Sequence, residues 1–296
     1  MGHVELCHDT IRFPFDHLGV RLEVRIRRTC AVPVDSVSHA AVRVLNRLPI
    51  RAVDDYALVG EVMRRGGVLV PMAAADACRI ELRALGGPIA VRIGAGKINV
   101  LNGERWDDRA PLRPGEHLCV CVSAGVAVDG FVAPCGAVEQ FVAHPMGFGS
   151  TVEEQVTGSA VWAGLQIQAI PLKKMAFDLH RREIWGEVMH AIPAFAPNDI
   201  VPEPLFHGFG RGGRTEPRLL LDTFESDAWD VSLAARCFVT LMDHPAFEAL
   251  TGELIDRSSA PDLPLIPSAS DSVGRPLKVT NALMSHLQRI AKATKD

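Results

Sequence analysis

One short apolar segment carries a histidine and two cysteines at alternate positions. In "HLCVC", 117–121, these residues are His117, Cys119 and Cys121. Alternate residues of a strand point to one face of its sheet, so a strand here would present an imidazole and two thiols together, a ligand set suited to zinc or copper. Structural zinc sites usually take cysteine pairs from turns, and a buried free cysteine packs as a small apolar residue. The sequence therefore predicts no metal and no cofactor, and these three residues are the candidate ligands if a metal is bound.

A further thiol, Cys135, lies in a turn between a proline and a glycine, and His144 follows shortly after it. A cysteine nucleophile needs a histidine in contact to take its proton, together with donors for the oxyanion. Closeness in the sequence establishes neither condition. Cys135 and His144 are therefore candidates for a catalytic pair, and an unreactive turn cysteine is the competing interpretation.

The stretch "EQFVAHPMGFGSTVEEQVTG", 139–158, passes from an apolar run into glycines and paired glutamates. Residues 137–144 are predicted to be extended and 145–158 to form a loop, because Gly147 and Gly149 give the backbone freedom. Loops carry a large share of binding residues. The candidate binding residues of this loop are Met146, Phe148, Glu153, Glu154 and Gln155.

The segment "HGFGRGGR", 207–214, is rich in glycine and arginine. It predicts flexible turns, and its backbone amides could form an anion-binding nest assisted by Arg211 and Arg214. It lacks the lysine followed by serine or threonine of a nucleotide phosphate loop, and "GAGKIN", 94–99, also departs from that template. Anion binding is therefore an alternative here.

The composition is that of an ordinary globular protein. Lysine and arginine (31) nearly balance aspartate and glutamate (35) in a chain of 296 residues, so no overall field recruits nucleic acid or a membrane surface. No apolar run approaches the roughly 18 residues of a membrane-spanning helix. Seven scattered cysteines without paired spacing predict reduced thiols and a cytoplasmic location.

The elements that must position these residues are mainly strands. Period-two alternation, as in "VRLEVRIRR", indicates half-exposed strands, and longer apolar runs indicate buried ones. The predicted strands are 20–28, 79–85, two pieces within 89–106, part of 116–128, 137–144, 162–171, 218–224 and 235–242. The predicted helices are 54–67, a short one within 177–190, 243–252 and an amphipathic C-terminal helix within 277–296.

The predicted fold class is α+β and β-rich, with two sheet-containing lobes, few short helices and a C-terminal amphipathic helix. An N-terminal β-rich segment with one helix covers 1–88, and a central β-rich core covers 89–171. Many prolines between 171 and 218 predict a linker region at 172–218. A C-terminal α+β segment covers 219–296.

Several segments resemble, in the same order, motifs of a largely uncharacterised family of bacterial and fungal proteins. They are "AVRIGAGKINVLNGERW", "DGFVAPCGAVEQFVAHPMGFGSTVEEQVTG", "GLQIQAIP", "GFGRGGRTEPRLLLDTFESDAWD" and "CFVTLMDHPAFEALTGE". The resemblance covers 89–265, and some fungal members are fused to ubiquitin-like domains. Of the family's Trp-Leu-Asp-Gly turn this chain keeps Asp129 and Gly130, and Met146 replaces a leucine. The resemblance implies an architecture and no activity or cofactor.

Because no complete catalytic motif is present, the favoured function is a non-catalytic β-rich module for protein binding or assembly. Its partner would be another protein or a second copy of the chain. The alternative is a cytoplasmic hydrolase or metal-assisted enzyme that uses Cys135 and His144, or the face formed by His117, Cys119 and Cys121. Distant residues can assemble an active site, so the sequence leaves open whether the protein is an enzyme.

Overall fold

The computed structural model describes residues 3–34, 38–39, 42–58, 60–121, 125–133, 136–183, 206–215, 222 and 224–256. Within these residues the chain is rich in strands, and seventeen strands join one large, mainly antiparallel sheet. The strands are β1 (Glu5–Leu6), β2 (Ile11–Phe15), β3 (Val20–Thr29), β4 (Ser38–His39), β5 (Val44–Arg47), β6 (Arg51–Ala52), β7 (Val68–Pro71), β8 (Ala77–Leu85), β9 (Ile89–Ala95), β10 (Ile98–Asn99), β11 (Leu118–Val120), β12 (Val126–Val128), β13 (Gly130–Val132), β14 (Val138–Pro145), β15 (Leu165–Pro171), β16 (Phe206–Thr215) and β17 (Ala235–Met242).

The described helices are few and short. They are α1 (Glu61–Arg65), α2 (Val152–Thr157), α3 (Lys174–Glu183) and α4 (His244–Thr251), with 3-10 turns at Val53–Asp55, Ser226–Ala228 and Val231–Leu233. None of these helices has the length and apolarity needed to cross a membrane. The C-terminal amphipathic helix predicted within 277–296 lies outside the described residues.

The longest strands form a continuous antiparallel path through the sheet. Its order is β2, β3, β8, β14, β16, β17, β15 and β9. Two short strands add parallel pairings, β4 on β16 and β7 on β17. Because β15 pairs with β9 on one side and β17 on the other, segments far apart in sequence become neighbours.

The sheet shares one large hydrophobic core, which includes residues from Ile11 in β2 to Leu241 in β17. A smaller cluster packs α1 and α4 against β7, with Phe247 fully buried. Burying one such aromatic side chain stabilises the fold by roughly 1.5–3 kcal/mol. The predicted β-rich class is confirmed, and the division into two lobes stays a prediction.

The helix predicted over 54–67 is wrong as a single element. The structure has a 3-10 turn at Val53–Asp55 and then the short helix α1. Gly60 lies between them at φ 79, which is outside the helical region and interrupts the helix. The predicted end at Gly66 is confirmed, since its N–H bonds the carbonyl of Val62.

The glycine-rich segment 207–214 lies within strand β16, so the prediction of flexible turns and an anion nest is wrong. Its backbone pairs with β14, and amides that alternate in direction along a strand cannot converge on an anion. The glycines allow close approach. A Cβ at Gly208 would lie 2.8 Å from Thr151 Cγ2, and one at Gly210 would lie 2.2 Å from the His144 ring.

Two regular elements, α3 and β16, lie inside the predicted linker 172–218. β16 pairs with both β14 and β17, so this part of the chain belongs to the sheet. The sequence pointed to a linker because glycine and proline usually mark irregular structure, whereas here the glycines serve close packing. The other predicted domain boundaries stay predictions.

Candidate functional site

The stretch 139–158 contains a helix where a loop was predicted. The extended segment predicted at 137–144 is confirmed as strand β14. Residues 152–157, which were predicted to be loop, form helix α2, and this helix begins with a capping box. The Thr151 hydroxyl accepts the Glu154 N–H, and Glu154 Oε2 accepts the Thr151 N–H at 3.0 Å. Threonine followed three residues later by glutamate is a known helix-start pattern, and the sequence analysis missed it.

Glu154 also closes the turn that precedes the helix. Its Oε1 accepts the N–H groups of Gly147 at 2.7 Å and Gly149 at 3.2 Å. Burial alone would raise the pKa of Glu154, but hydrogen bonds from the Thr151 side chain and from these backbone amides lower it. The carboxylate is therefore occupied in holding its own loop.

The neighbouring Glu153 is buried and positions a second segment. Its Oε1 accepts the N–H groups of Val161 at 3.1 Å and Trp162 at 2.7 Å, and its Oε2 accepts the N–H of Ala163 at 2.8 Å. It also packs on the turn before β10, where a Cβ at Gly96 would lie 2.5 Å from the Glu153 Cβ. Glu153, in the stretch 139–158, therefore fixes both Trp162 and the turn that follows β9.

The segments held by Glu153 form a surface that we call the basic–aromatic patch: Arg65, Lys97, Trp162, Arg236 and Phe238. The rings of Trp162 and Phe238 stack with centroids 6.2 Å apart and an interplanar angle of 14°. Lys97 Nζ lies 4.9 Å from the Trp162 centroid and 5.6 Å from that of Phe238. Arg65 lies over Trp162 at 4.8 Å, and Arg236 over Phe238 at 5.0 Å. Cations at these distances are attracted by the ring faces.

Part of the patch faces solvent. Trp162 is 39% exposed and Val161 beside it is 52% exposed, whereas Phe238 is buried. Arg65 holds this edge by donating to the carbonyl oxygens of Trp162 at 2.8 Å and Val161 at 2.6 Å. The indole and the head group of Arg236 are thus available to a ligand.

Asp108 supplies a carboxylate to the patch. Lys97 Nζ donates to its Oδ1 at 2.8 Å, the indole N–H of Trp106 donates to the same oxygen, and Arg236 forms an ion pair with Oδ2. One carboxylate is therefore shared by two cations and an indole N–H. The third cation, Arg65, pairs with Glu61, its Nε lying 3.8 Å from Glu61 Oε2.

The ammonium group of Lys97 is destabilised by its surroundings. Burial together with the charges of Arg236 and Arg65 lowers the pKa of Lys97 to about 8, and Asp107 partly opposes this. The shift brings proton release from Lys97 down to about pH 8, and the ion pair with Asp108 acts in the opposite direction by favouring the ammonium form.

The backbone of Lys97 has φ 63, a left-handed conformation that residues other than glycine, asparagine and aspartate seldom adopt. Hydrogen bonds hold it there. Its N–H donates to the side-chain carbonyl of Gln166 at 2.9 Å, and its carbonyl accepts the N–H of Trp106 at 2.8 Å. Strained backbone of this kind persists where the surroundings over-determine it, often at functional sites.

A polar cleft of about 310 Å³ opens on the side of Trp106 and Asp107. Its charges are paired with one another. Arg92 donates to Glu116 at 3.0 Å, and Arg113 forms ion pairs with Glu104 and Glu116. None of its lining residues comes from 139–158. Several charges of the cleft are thus paired inside it, whereas the patch combines three cations with a partly exposed ring.

The imidazole of His117 and the thiols of Cys119 and Cys121 have partners within the protein. The Sγ atoms of Cys119 and Cys121 are 3.8 Å apart, while His117 Nε2 bonds Asp222, which also accepts the indole N–H of Trp229 at 2.9 Å. Burial, then Cys121 and Asp222, raise the pKa of the Cys119 thiol. Within the described ranges, no three or more histidine, cysteine or acidic side chains are grouped to hold a metal ion.

The other predicted site residues have varied surroundings. Phe148 is 70% exposed, and Gln155 Nε2 donates to the carbonyl of Gly149 at 3.3 Å. Met146 and Arg214 are half-buried. Cys135 lies outside the described residues, as does the side chain of Arg211, so the predicted pairing of Cys135 with His144 stays a prediction.

The sequence analysis missed the residues of the patch. Lys97 follows β9, Trp162 precedes β15 and Phe238 lies in β17. Gln166 of β15 is paired with both Gly94 and Phe238, which brings the three segments to one place. The only signal was "GAGKIN", where a lysine follows a glycine turn.

No family model, curated protein or solved structure matches this chain. The resemblance to the bacterial and fungal family therefore stays a prediction. So do the cytoplasmic location, the assembly of copies of the chain and the enzymatic alternative.

We expect Glu153→Gln to lower the free energy of unfolding by about 1–2 kcal/mol, because an amide offers one acceptor oxygen to three donors and loses the charge. Amide hydrogen exchange measures the cause directly, with protection falling at Val161, Trp162 and Ala163. Glu5→Gln, which replaces a half-exposed carboxylate on β1, is the control and should leave those amides unchanged. Unaltered protection in Glu153→Gln would contradict the positioning role.

Proposed function

We propose that this protein is a β-rich binding module whose basic–aromatic patch takes an acidic segment of a partner protein. The observation that carries the proposal is the convergence of Arg65, Lys97 and Arg236 on a partly exposed ring stack. Lys97 and Arg236 share the carboxylate of Asp108, and Arg65 pairs with Glu61 at 3.8 Å. The chain as a whole has a net charge of −4, so a group of three cations at one place stands out from the rest of the molecule.

The chemistry of the patch favours carboxylates. Guanidinium and ammonium groups form charge-assisted hydrogen bonds with carboxylates, and partial burial strengthens them because the local dielectric is lower than in water. The exposed faces of Trp162 and Val161 add apolar contact next to these charges. Tryptophan and arginine are the residues most often responsible for binding energy at protein interfaces.

A protein partner fits the patch better than a nucleic acid. Proteins that bind single strands need successive aromatic platforms along a basic groove. The patch offers one exposed ring and one compact group of cations, which suits a short acidic segment with a neighbouring apolar side chain.

We expect a heptaglutamate peptide to bind the intact chain at low ionic strength and to change its tryptophan fluorescence. Among the tryptophans within the described residues Trp162 is the suitable reporter, since Trp106 and Trp229 are at most 9% exposed. Arg236→Gln should weaken binding about tenfold, the effect of losing roughly 1.4 kcal/mol of charge-assisted interaction. Added salt should also weaken binding, because exposed charges are screened.

Two further variants sharpen the test. Asp108→Asn removes the competing carboxylate and should strengthen peptide binding, opposite in sign to Arg236→Gln. Arg47→Gln removes an exposed positive charge from β5 and should change the affinity by less than about twofold. Equal binding of a heptalysine peptide, or equal effects of Arg236→Gln and Arg47→Gln, would overturn the proposal.

A further inference from the structure

We infer that Lys97 is a site of acylation by anionic acyl phosphates and that its acylation switches the patch off. The inference rests on the proposed function, because the switch acts on the binding of acidic segments. It concerns a covalent modification, which peptide binding by itself does not require.

The position of the amine carries the inference. Lys97 Nζ is held 2.8 Å from Asp108 Oδ1, beside two ring faces, and 18% of the side chain is exposed. The backbone at φ 63 is fixed by hydrogen bonds on both sides of the residue. The amine therefore has a defined place, partial access to solvent and an adjacent carboxylate that can accept the nitrogen proton once the amine has attacked.

The environment also favours the reactive form of the amine. With a pKa of about 8, roughly a tenth of Lys97 is neutral at pH 7, against about one part in three thousand for an ordinary lysine. A neutral amine is a nucleophile and an ammonium is not. Lower basicity reduces the intrinsic nucleophilicity, which offsets part of the gain.

The step balances with an acyl phosphate as the only co-reactant. The neutral amine attacks the carbonyl carbon, and a C–N bond forms while the C–O bond to phosphate breaks. The phosphate leaves with the electron pair, and the nitrogen proton passes through Asp108 to the departing phosphate. The products are an amide and hydrogen phosphate, and the exposed Arg236 attracts the anionic reagent before the attack.

Acylation changes the charge of the patch. The amide of Lys97 is neutral, so two cations remain where there were three. Asp108 then neutralises a larger share of the positive charge, through its ion pair with Arg236. We expect an acidic segment to bind about tenfold more weakly after the modification.

The experiment treats the intact chain with acetyl phosphate at pH 7 and follows each lysine by peptide mass spectrometry. Lys174 is the internal control, because its side chain is 68% exposed and pairs with Asp178 on the solvent face of α3. Lys97 should be acetylated about tenfold faster than Lys174 at pH 7, and the ratio should narrow towards pH 10, where both amines are largely neutral. Equal or slower acetylation of Lys97 would overturn the inference.

Heptaglutamate binding is measured before and after the treatment. Binding by the wild-type chain should weaken about tenfold, while Lys97→Arg, which cannot form the amide, should keep its own starting affinity. If the untreated wild-type chain does not bind the peptide, the proposed function fails, whatever the labelling. If it binds and Lys97 shows no preference over Lys174, the acylation inference alone is overturned.

Discussion

We expect Gly130→Ala to lower the free energy of unfolding by about 3 kcal/mol or more, because the methyl group would occupy the place of another strand's backbone. A Cβ at Gly130 would lie 1.8 Å from the carbonyl oxygen of Glu139 and 2.8 Å from the Cα of Gln140. Gly130 in β13 is paired with Gln140 in β14. The clash is therefore relieved only by opening a pairing of the central sheet.

Urea denaturation of the variant and the wild-type chain measures this loss. The matched control is Gly125→Ala, where the new Cβ meets the Leu82 carbonyl oxygen at an ordinary 3.4 Å. Its free energy of unfolding should stay within about 0.5 kcal/mol of wild type. Equal stabilities of the two variants would contradict the prediction.

Gly130 follows Asp129, whose carboxylate accepts two hydrogen bonds from Arg79 at 2.6 and 3.0 Å. This Asp-Gly pair is the part of the predicted family motif that the chain keeps. The structure gives it a physical role, since the aspartate ties β8 to the turn and the glycine lets β14 approach. Such a role needs no ligand.

We also expect the protein to lose stability steeply as the pH falls from 7 towards 5, because two histidines of the sheet, the half-buried His144 and the buried His207, resist protonation. Burial and the neighbouring His207 lower the pKa of His144, and Glu154 of α2 partly opposes this shift. The His144 ring lies against β16, where a Cβ at Gly210 would be 2.2 Å from it. A charged imidazole has little room for water there.

Burial also lowers the pKa of His207, which is 1% exposed. The carboxylates of Asp243 and Asp76 oppose this shift, and His244 adds to it. Asp76 is itself engaged by Arg28 at 2.7 Å and by His244 at 3.2 Å. The acidic groups near His207 are thus partly neutralised by other partners.

The direction of the pH effect follows from these lowered pKa values. An unfolded histidine takes up its proton near pH 6.5, while His144 and His207 in the folded chain do so only at lower pH. Below pH 6.5 the unfolded state holds more protons, so stability falls with pH by up to about 1.4 kcal/mol per unit for each histidine. Stability stops falling once the pH is below the pKa values of the two histidines in the folded chain. Above pH 6.5 the stabilising contribution of the neutral histidines is fully present.

Carboxylates affect the stability of the protein in a different pH range. Asp76 and Glu154 have lowered pKa values, so their contribution is lost at pH values below those at which unfolded carboxylates titrate, near pH 4. A loss between pH 7 and 5 is therefore assigned to the histidines.

Urea denaturation at half-unit intervals from pH 7.5 to 5 measures the slope. His207→Gln should reduce the slope by up to half, because one of the two titrating groups is gone. His3→Gln replaces an exposed histidine and should leave the slope unchanged. A wild-type stability that is flat from pH 7 to 5 would contradict the prediction.

The strands with regular alternation could be predicted from the sequence alone. Residues of one face are apolar along the whole of β15 and from Val20 to Ile26 in β3, and the period of two follows from the covalent geometry of the backbone. Helix α4 was also predicted, from Asp243 at its start and Gly252 at its end. These elements carry their own local signals.

Elements whose composition serves a neighbour could not be predicted in this way. The glycines of β16 suggest turns, yet they leave space for Thr151 and His144. Helix α2 has a capping box, but preceding glycines concealed it within a predicted loop. The reason for the β16 glycines lies in segments that contact them, which sequence periodicity does not report, whereas the capping box of α2 was a local signal.

The sequence by itself determined the β-rich class and the main strands, because alternation and glycine turns are local properties of the chain. Only the tertiary structure decided what the paired glutamates do and where the candidate site lies. Glu153 and Glu154 are fully used as acceptors for backbone N–H groups. The patch needs Lys97, Trp162 and Phe238 together, and β15 brings them together by pairing with both β9 and β17. Strand pairing between distant segments depends on the packing of the whole core, so no short stretch of sequence encodes it.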